Sequence, residues 1–175
     1  LERLALGAST VHIVPSKGVH LVLPQERFGV TQAAVVIPET SDGRLLFVIP
    51  YEGRAILGTT DTGAGPLDDP RADDTDVDFL LDHANQYFDV GLSRADVISA
   101  YAGYRPLIRR GVAEVTAQLS RSHELIEHES GLISILGGKL TTYRRMAEET
   151  VDRIQRRLGQ PVRHVTARLP LVGRE

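Results

Sequence analysis

The hydrophobic positions change period along the chain, and each change predicts an element. Residues 11–14 form a short apolar stretch, and Val19, Leu21 and Leu23 alternate with His20 and Val22 as far as Pro24. Both stretches predict strands, the second closed by the proline. Residues 33–37 and 45–50 are continuous apolar runs, with the turn signal Ser41-Asp42-Gly43 between them. Glu52-Gly53 then separates residues 45–51 from 54–58, a two-residue connection that predicts a tight hairpin. Residues 62–74, rich in Gly, Pro and Asp, read as a surface loop. A helix is expected next, with Thr75 as its N-cap and Asp78 in the capping-box position. Val77, Leu80, Leu81, Ala84 and Tyr87 or Phe88 share its apolar face, and Gly91 is placed to end it.

Residues 97–107 return to a strand pattern, and residues 116–128 have room for one or two strands more. Residues 132–136 are an apolar strand running into Gly137-Gly138. Leu140, Tyr143, Ala147, Val151, Ile154 and Leu158 then fall on one helical stripe, with Glu149–Arg153 and Asp152–Arg156 as expected ion pairs on the wet side. Gly159 and Pro161 stop this helix, and the tail has room for one last strand. The expected class is α+β: an antiparallel β-sheet with helices packed on it.

Composition narrows the function. With 42% hydrophobic and 25% charged residues, the chain can build a core and is not disordered as a whole. Its 20 basic and 23 acidic residues give a net charge of −3, which speaks against a general nucleic-acid surface. The absence of cysteine excludes disulfides, thiolate nucleophiles and cysteine-ligated zinc. The five histidines other than His20 show no metal-ligand spacing with each other, so no metal is expected. No apolar run reaches the length of a membrane span, and Leu1-Glu2-Arg3 does not open a signal peptide. A first residue other than Met leads us to expect a piece of a longer protein.

Three places could carry chemistry. In Gly137-Gly138-Lys139-Leu140-Thr141-Thr142-Tyr143-Arg144, a strand passes through two glycines into a helix. Bare backbone and a helix start suit a phosphate or an electron-rich ring edge, and the same pattern equally suits an ordinary strand-to-helix turn. In Tyr101-Ala102-Gly103-Tyr104-Arg105-Pro106-Leu107, the arginine sits at an apolar strand end. Its planar fork suits a phosphate or carboxylate, or else a structural ion pair. His20 faces away from Val19 and Leu21, where it could take a proton from an alcohol or simply hydrogen-bond on the polar face of the sheet. Gly58-Thr59-Thr60-Asp61 could line a polar pocket or merely begin a loop.

Taken in order, several segments resemble one family. Residues 16–22 look like a lysine-glycine-x-histidine strand, and residues 47–50 with 56–61 look like the next strand pair. Residues 101–107, Ser120-Arg121 and residues 137–144 complete the series. The chain resembles FAD-dependent glycerol-3-phosphate dehydrogenase, within the D-amino-acid-oxidase-like flavoproteins, over roughly residues 10–172.

The resemblance implies that glycerol 3-phosphate is oxidised to dihydroxyacetone phosphate by hydride transfer to FAD. Quinone is the implied acceptor, and the enzyme would lie in the cytoplasm, peripheral to the inner face of the cell membrane. It implies Arg105, Arg121 and Lys139 as substrate-binding residues, with Arg105 and His20 catalytic. Gly137, Gly138, Lys139, Leu140, Thr141 and Thr142 would contact the flavin. Residues 10–130 would form the substrate-binding domain, 131–159 the terminal strand and helix of the FAD domain, and 160–175 a linker. No G-x-G-x-x-G occurs, since Asp68 stands where Gly63-Ala64-Gly65 would need its third glycine. The βαβ unit for the ADP half of FAD is therefore not expected in this chain. Alone it should be inactive, should hold FAD weakly or not at all, and should self-associate through uncovered surface. A related oxidase using oxygen and a non-enzymatic phosphate-ester-binding module are the alternatives.

Overall fold

The computed structural model describes residues 12–109, 122–160 and 163–173. The chain divides into two compact units, Pro15–Arg105 and a second made of Leu1–Val14 with Pro106–Glu175. The mixture of helices with antiparallel sheets is the expected α+β class.

The two strand patterns at the start join into one strand, β1 (His12–Pro24). β1 pairs with β4 (Arg54–Gly58) through residues 20–24, and with β5 (Thr62–Gly63) through Ser16 and Lys17. β2 (Val35–Ile37) and β3 (Leu46–Tyr51) extend the sheet beyond β4, and β6 (Ser99–Arg109) also pairs with β1. β5 forms inside the stretch expected to be loop, because Ser16 and Lys17 offer it a register. The β3–β4 hairpin turns through Glu52 and Gly53, both at positive φ (47° and 74°), as a primed two-residue turn requires.

The core follows from the alternation. Val19, Leu21, Leu23, Leu46, Val48 and Leu57 point to one face, where Leu80, Leu81 and Ala84 of helix α1 (Asp74–Phe88) cover them. α1 is capped by Asp73 and not by the expected Thr75. The Asp73 carboxylate accepts from the Asp76 N–H (3.0 Å), and Asp76 returns the bond to the Asp73 N–H (3.1 Å). Lys17, buried on β1, lies 2.6 Å from both carboxylates and fixes this start. The helix ends at Asp89, in the left-handed region (φ 49°), ahead of Gly91.

In the second unit, β7 (His123–Glu127) and β8 (Ile133–Gly137) form an antiparallel hairpin. A 3-10 turn at Leu140–Thr142 leads into helix α2 (Tyr143–Arg157), and Gly159 at positive φ follows its end. The expected ion pairs are replaced. Arg153 reaches Glu127 of β7 (2.7 Å), Glu149 takes Arg145 and His123 (both 2.6 Å), and Arg156 bonds the Asp152 carbonyl. The hairpin supplies Glu127 to Arg153 and His123 to Glu149, while Arg145 and the Asp152 carbonyl are partners within α2 itself. α2 thus meets its hairpin partly through polar ties, while all six residues of the expected apolar stripe are exposed. Among the described residues, no helix is long and apolar enough to cross a membrane.

Candidate functional site

Period-two alternation puts Ser16, Gly18 and His20 on the face of β1 opposite the core. His20 stands opposite Gly58 of β4, and Gly58 stands opposite Phe47 of β3. Tyr101 of β6 stacks on the imidazole, with ring centroids 5.0 Å apart and planes 10° from parallel. Burial, and then the positive charge of Arg105, hold the His20 pKa below the usual histidine value. The ring is therefore neutral at pH 7, with a nitrogen able to accept a proton.

Arg105 is held by oxygens from two directions. Its Nη1 donates to the Thr60 carbonyl (3.2 Å) and to Ser16 Oγ (3.5 Å), and its Nη2 donates to Thr59 Oγ1 (3.0 Å). Those acceptors are themselves fixed. Thr60 Oγ1 accepts from the Val19 N–H (3.0 Å), and Ser16 Oγ donates to Asp61. Segment 58–61 thereby meets both candidate side chains: Thr59 and Thr60 accept from Arg105, and Gly58 lies beside the His20 ring. Ser16 and Tyr101 carry roles that motif reading alone does not assign. Ser16 could be found because it shares the His20 face; Tyr101 carries no such signal in sequence.

The glycine turn belongs to the other unit. Gly137 and Gly138 have φ of 65° and 83°, which side-chain-bearing residues rarely adopt. A Cβ on Gly137 would stand 2.8 Å from the Ser122 carbonyl oxygen, and one on Gly138 would stand 2.7 Å from Cε of Met146. Beside the turn lies a trough of about 690 Å³, lined by Ile135, Gly137, Gly138, Lys139, Leu140 and Tyr143 among others. Its walls are mainly apolar and Lys139 is exposed, which fits a flat aromatic ring carrying polar edges. Thr142 Oγ1 accepts from the Lys139 N–H (3.1 Å) and steadies the turn. Arg121 lies outside the described residues.

Glu148, Asp152 and His164 bring ligand atoms within 4.8 Å of one another. Arg144 and Arg145 already occupy the Glu148 carboxylate and hold its pKa low, so we assign no metal there.

Residues 2–153 match the family model described as FAD dependent oxidoreductase. The chain belongs to the FAD-dependent oxidoreductase family. It is 41% identical over 140 residues to the mitochondrial glycerol-3-phosphate dehydrogenase SDP6 of Arabidopsis thaliana, covering 80% of this chain and 22% of that protein. To glycerol-3-phosphate dehydrogenase 1 of Mycobacterium tuberculosis it is 42% identical over 172 residues, covering 94% of this chain and 33% of that one. The crystal structure of a Bacillus halodurans glycerol-3-phosphate dehydrogenase complexed with FAD superposes with a TM-score of 0.76 at 42% identity. That superposition covers 91% of this chain and 30% of the solved one. The chain therefore spans between about a fifth and a third of the relatives it matches.

Proposed function

We propose that this chain is the substrate-binding part of a flavoprotein that oxidises glycerol 3-phosphate to dihydroxyacetone phosphate. The observation that carries the reading is a half-buried histidine, kept neutral, on the same sheet as an arginine anchored by Ser16, Thr59 and Thr60. The similarity to three glycerol-3-phosphate dehydrogenases supports the choice of substrate. Arg105 binds the substrate through its oxygens, chiefly the phosphate, where a fixed guanidinium gives both charge and direction. His20 takes the proton of the secondary hydroxyl at a ring nitrogen. Bound FAD would supply the hydride acceptor for the same carbon. Gly137, Gly138, Leu140, Thr141 and Thr142 hold the ring at the bare turn, with Lys139 near both ring and substrate and Arg121 as a second phosphate contact. Residues 10–130 act as the substrate domain and 131–159 as the end of the FAD domain.

Quinone is the proposed electron acceptor, at the inner face of the membrane in the full-length protein. The chain alone is inactive and holds FAD weakly or not at all, because the hydride acceptor must be fixed against the substrate carbon. Calorimetric titration with glycerol 3-phosphate tests the site directly. Weak binding that disappears in Arg105→Ala supports it. Equal binding by both would remove Arg105 from the phosphate site.

A further inference from the structure

Glycine inside a strand gives up backbone entropy and has no side chain to pack, so its presence calls for a cause. Gly18 lies within β1 and Gly58 closes β4, and both are buried. Neither has the positive φ found at Gly53, Gly137 and Gly138, so φ does not call for glycine at either position. Space does. A Cβ on Gly18 would stand 2.6 Å from Cζ and Nη1 of Arg105. A Cβ on Gly58 would stand 2.8 Å from Cγ and 3.0 Å from Nε2 of His20. Gly103 of β6 is a control within the same sheet: a Cβ there would meet nothing within 4 Å.

We infer that Gly18 and Gly58 are positioning residues, one seating the Arg105 guanidinium and the other the His20 imidazole. The inference rests on the roles proposed above for those two side chains. Gly18 lets the guanidinium settle against β1, within reach of Ser16, Thr59 and Thr60. A methyl group there displaces the flexible end of Arg105 and leaves the strand in place. Gly58 gives the imidazole room over β4 while Tyr101 stacks on the ring. A methyl group there forces the ring to turn about its own Cα–Cβ bond and out of that stack.

The test is steady-state kinetics of the full-length, FAD-loaded protein with glycerol 3-phosphate. The variants are Gly18→Ala, Gly58→Ala, Arg105→Ala, His20→Ala, and the doubles Gly18→Ala/Arg105→Ala and Gly58→Ala/His20→Ala. Gly18→Ala should raise KM about 10- to 100-fold with a smaller change in kcat, as expected for a binding group moved by an ångström. Gly58→Ala should lower kcat by a similar factor with a smaller change in KM. In each double variant the glycine substitution should add less than about twofold, because the side chain it displaces is gone. If Gly58→Ala fails to fold while Gly58→Ala/His20→Ala folds, the clash with His20 is demonstrated in another way, and failure of both overturns that seat. A glycine effect that persists undiminished in the double overturns the inference and leaves the roles of Arg105 and His20 standing. Silent Arg105→Ala and His20→Ala variants overturn both the roles and the seats.

Discussion

Leu57 and Leu158 are the same side chain in two different situations. Leu57 is 0% exposed in the middle of β4, enclosed by the sheet and α1. Leu158, just past α2, is 67% exposed, and Leu140 at the other end of its stripe is 88% exposed. The 15–105 unit closes its own core and buries even its charged Lys17 and Asp76 in a mutual pair. In the second unit α2 reaches its hairpin through Glu127, His123 and the Gly131 carbonyl, and its apolar stripe stays uncovered. The first unit thus closes a core on one face of its sheet while Phe47, Ile49 and Tyr51 stay exposed on the other, and the second leaves the apolar stripe of its helix uncovered.

The comparison can be broken at several points. The largest effect is expected at the site held by the closed unit. His20→Ala should lower kcat of the full-length protein by about 10²- to 10⁴-fold with unchanged flavin absorbance, as loss of a general base does. Next, Leu57→Ala should cost about 3 kcal/mol in urea unfolding, as buried leucines do. Lys17→Met should cost about the same, because it strands Asp76 in the interior.

The Lys17 effect has a pH signature. Burial works against the charge of Lys17, yet its bonds to Asp73 and Asp76 outweigh this and raise its pKa. The bond from Lys17, and then the Asp76 N–H, lower the pKa of Asp73. The lysine contribution is complete below the usual lysine pKa and is lost as pH rises through the raised one. The Asp73 contribution is complete above the usual carboxylate pKa and is lost as pH falls through the lowered one. The difference between wild type and Lys17→Met should therefore be flat from about pH 5 to 9 and shrink outside that window.

A smaller shift is expected in the pH profile of kcat/KM. Its acidic limb should lie below the usual histidine value, and Arg105→Gln should move it upward by removing a neighbouring cation. Smallest of all, Leu158→Ala should change stability by less than about 0.5 kcal/mol. Leu140→Glu with Leu158→Glu should instead reduce self-association of this chain in sedimentation velocity. Unchanged sedimentation would show that the stripe is not the sticky surface.

The sheet was legible in sequence because alternation and the Glu52-Gly53 turn are local signals. The join of two patterns into β1 was not, since Pro15 and Gly18 interrupt the alternation and only pairing with β4, β5 and β6 carries the strand across them. The start of α1 was misplaced because Asp73 and Asp76 form a capping box from two aspartates, with a lysine from β1 completing it. At the site, His20 and Arg105 stand out by type and setting. Their seats do not, because Gly58 approaches His20, and Arg105 approaches Gly18, only once distant strands are paired.

Lys17 also acts as a pin against strand slippage. Ser16 and Gly18 flank it on the opposite face of β1, and Asp73 and Asp76 tie it to the first turn of α1. A shift of β1 by a single position would exchange the two faces, turning Leu21 or Val19 toward Arg105 and His20 into the core. A misregistered sheet would keep most of its backbone bonds and lose the proposed proton acceptor. In the observed register the Lys17 ammonium meets the Asp73 and Asp76 carboxylates at the start of α1, a tie that a slipped strand would break.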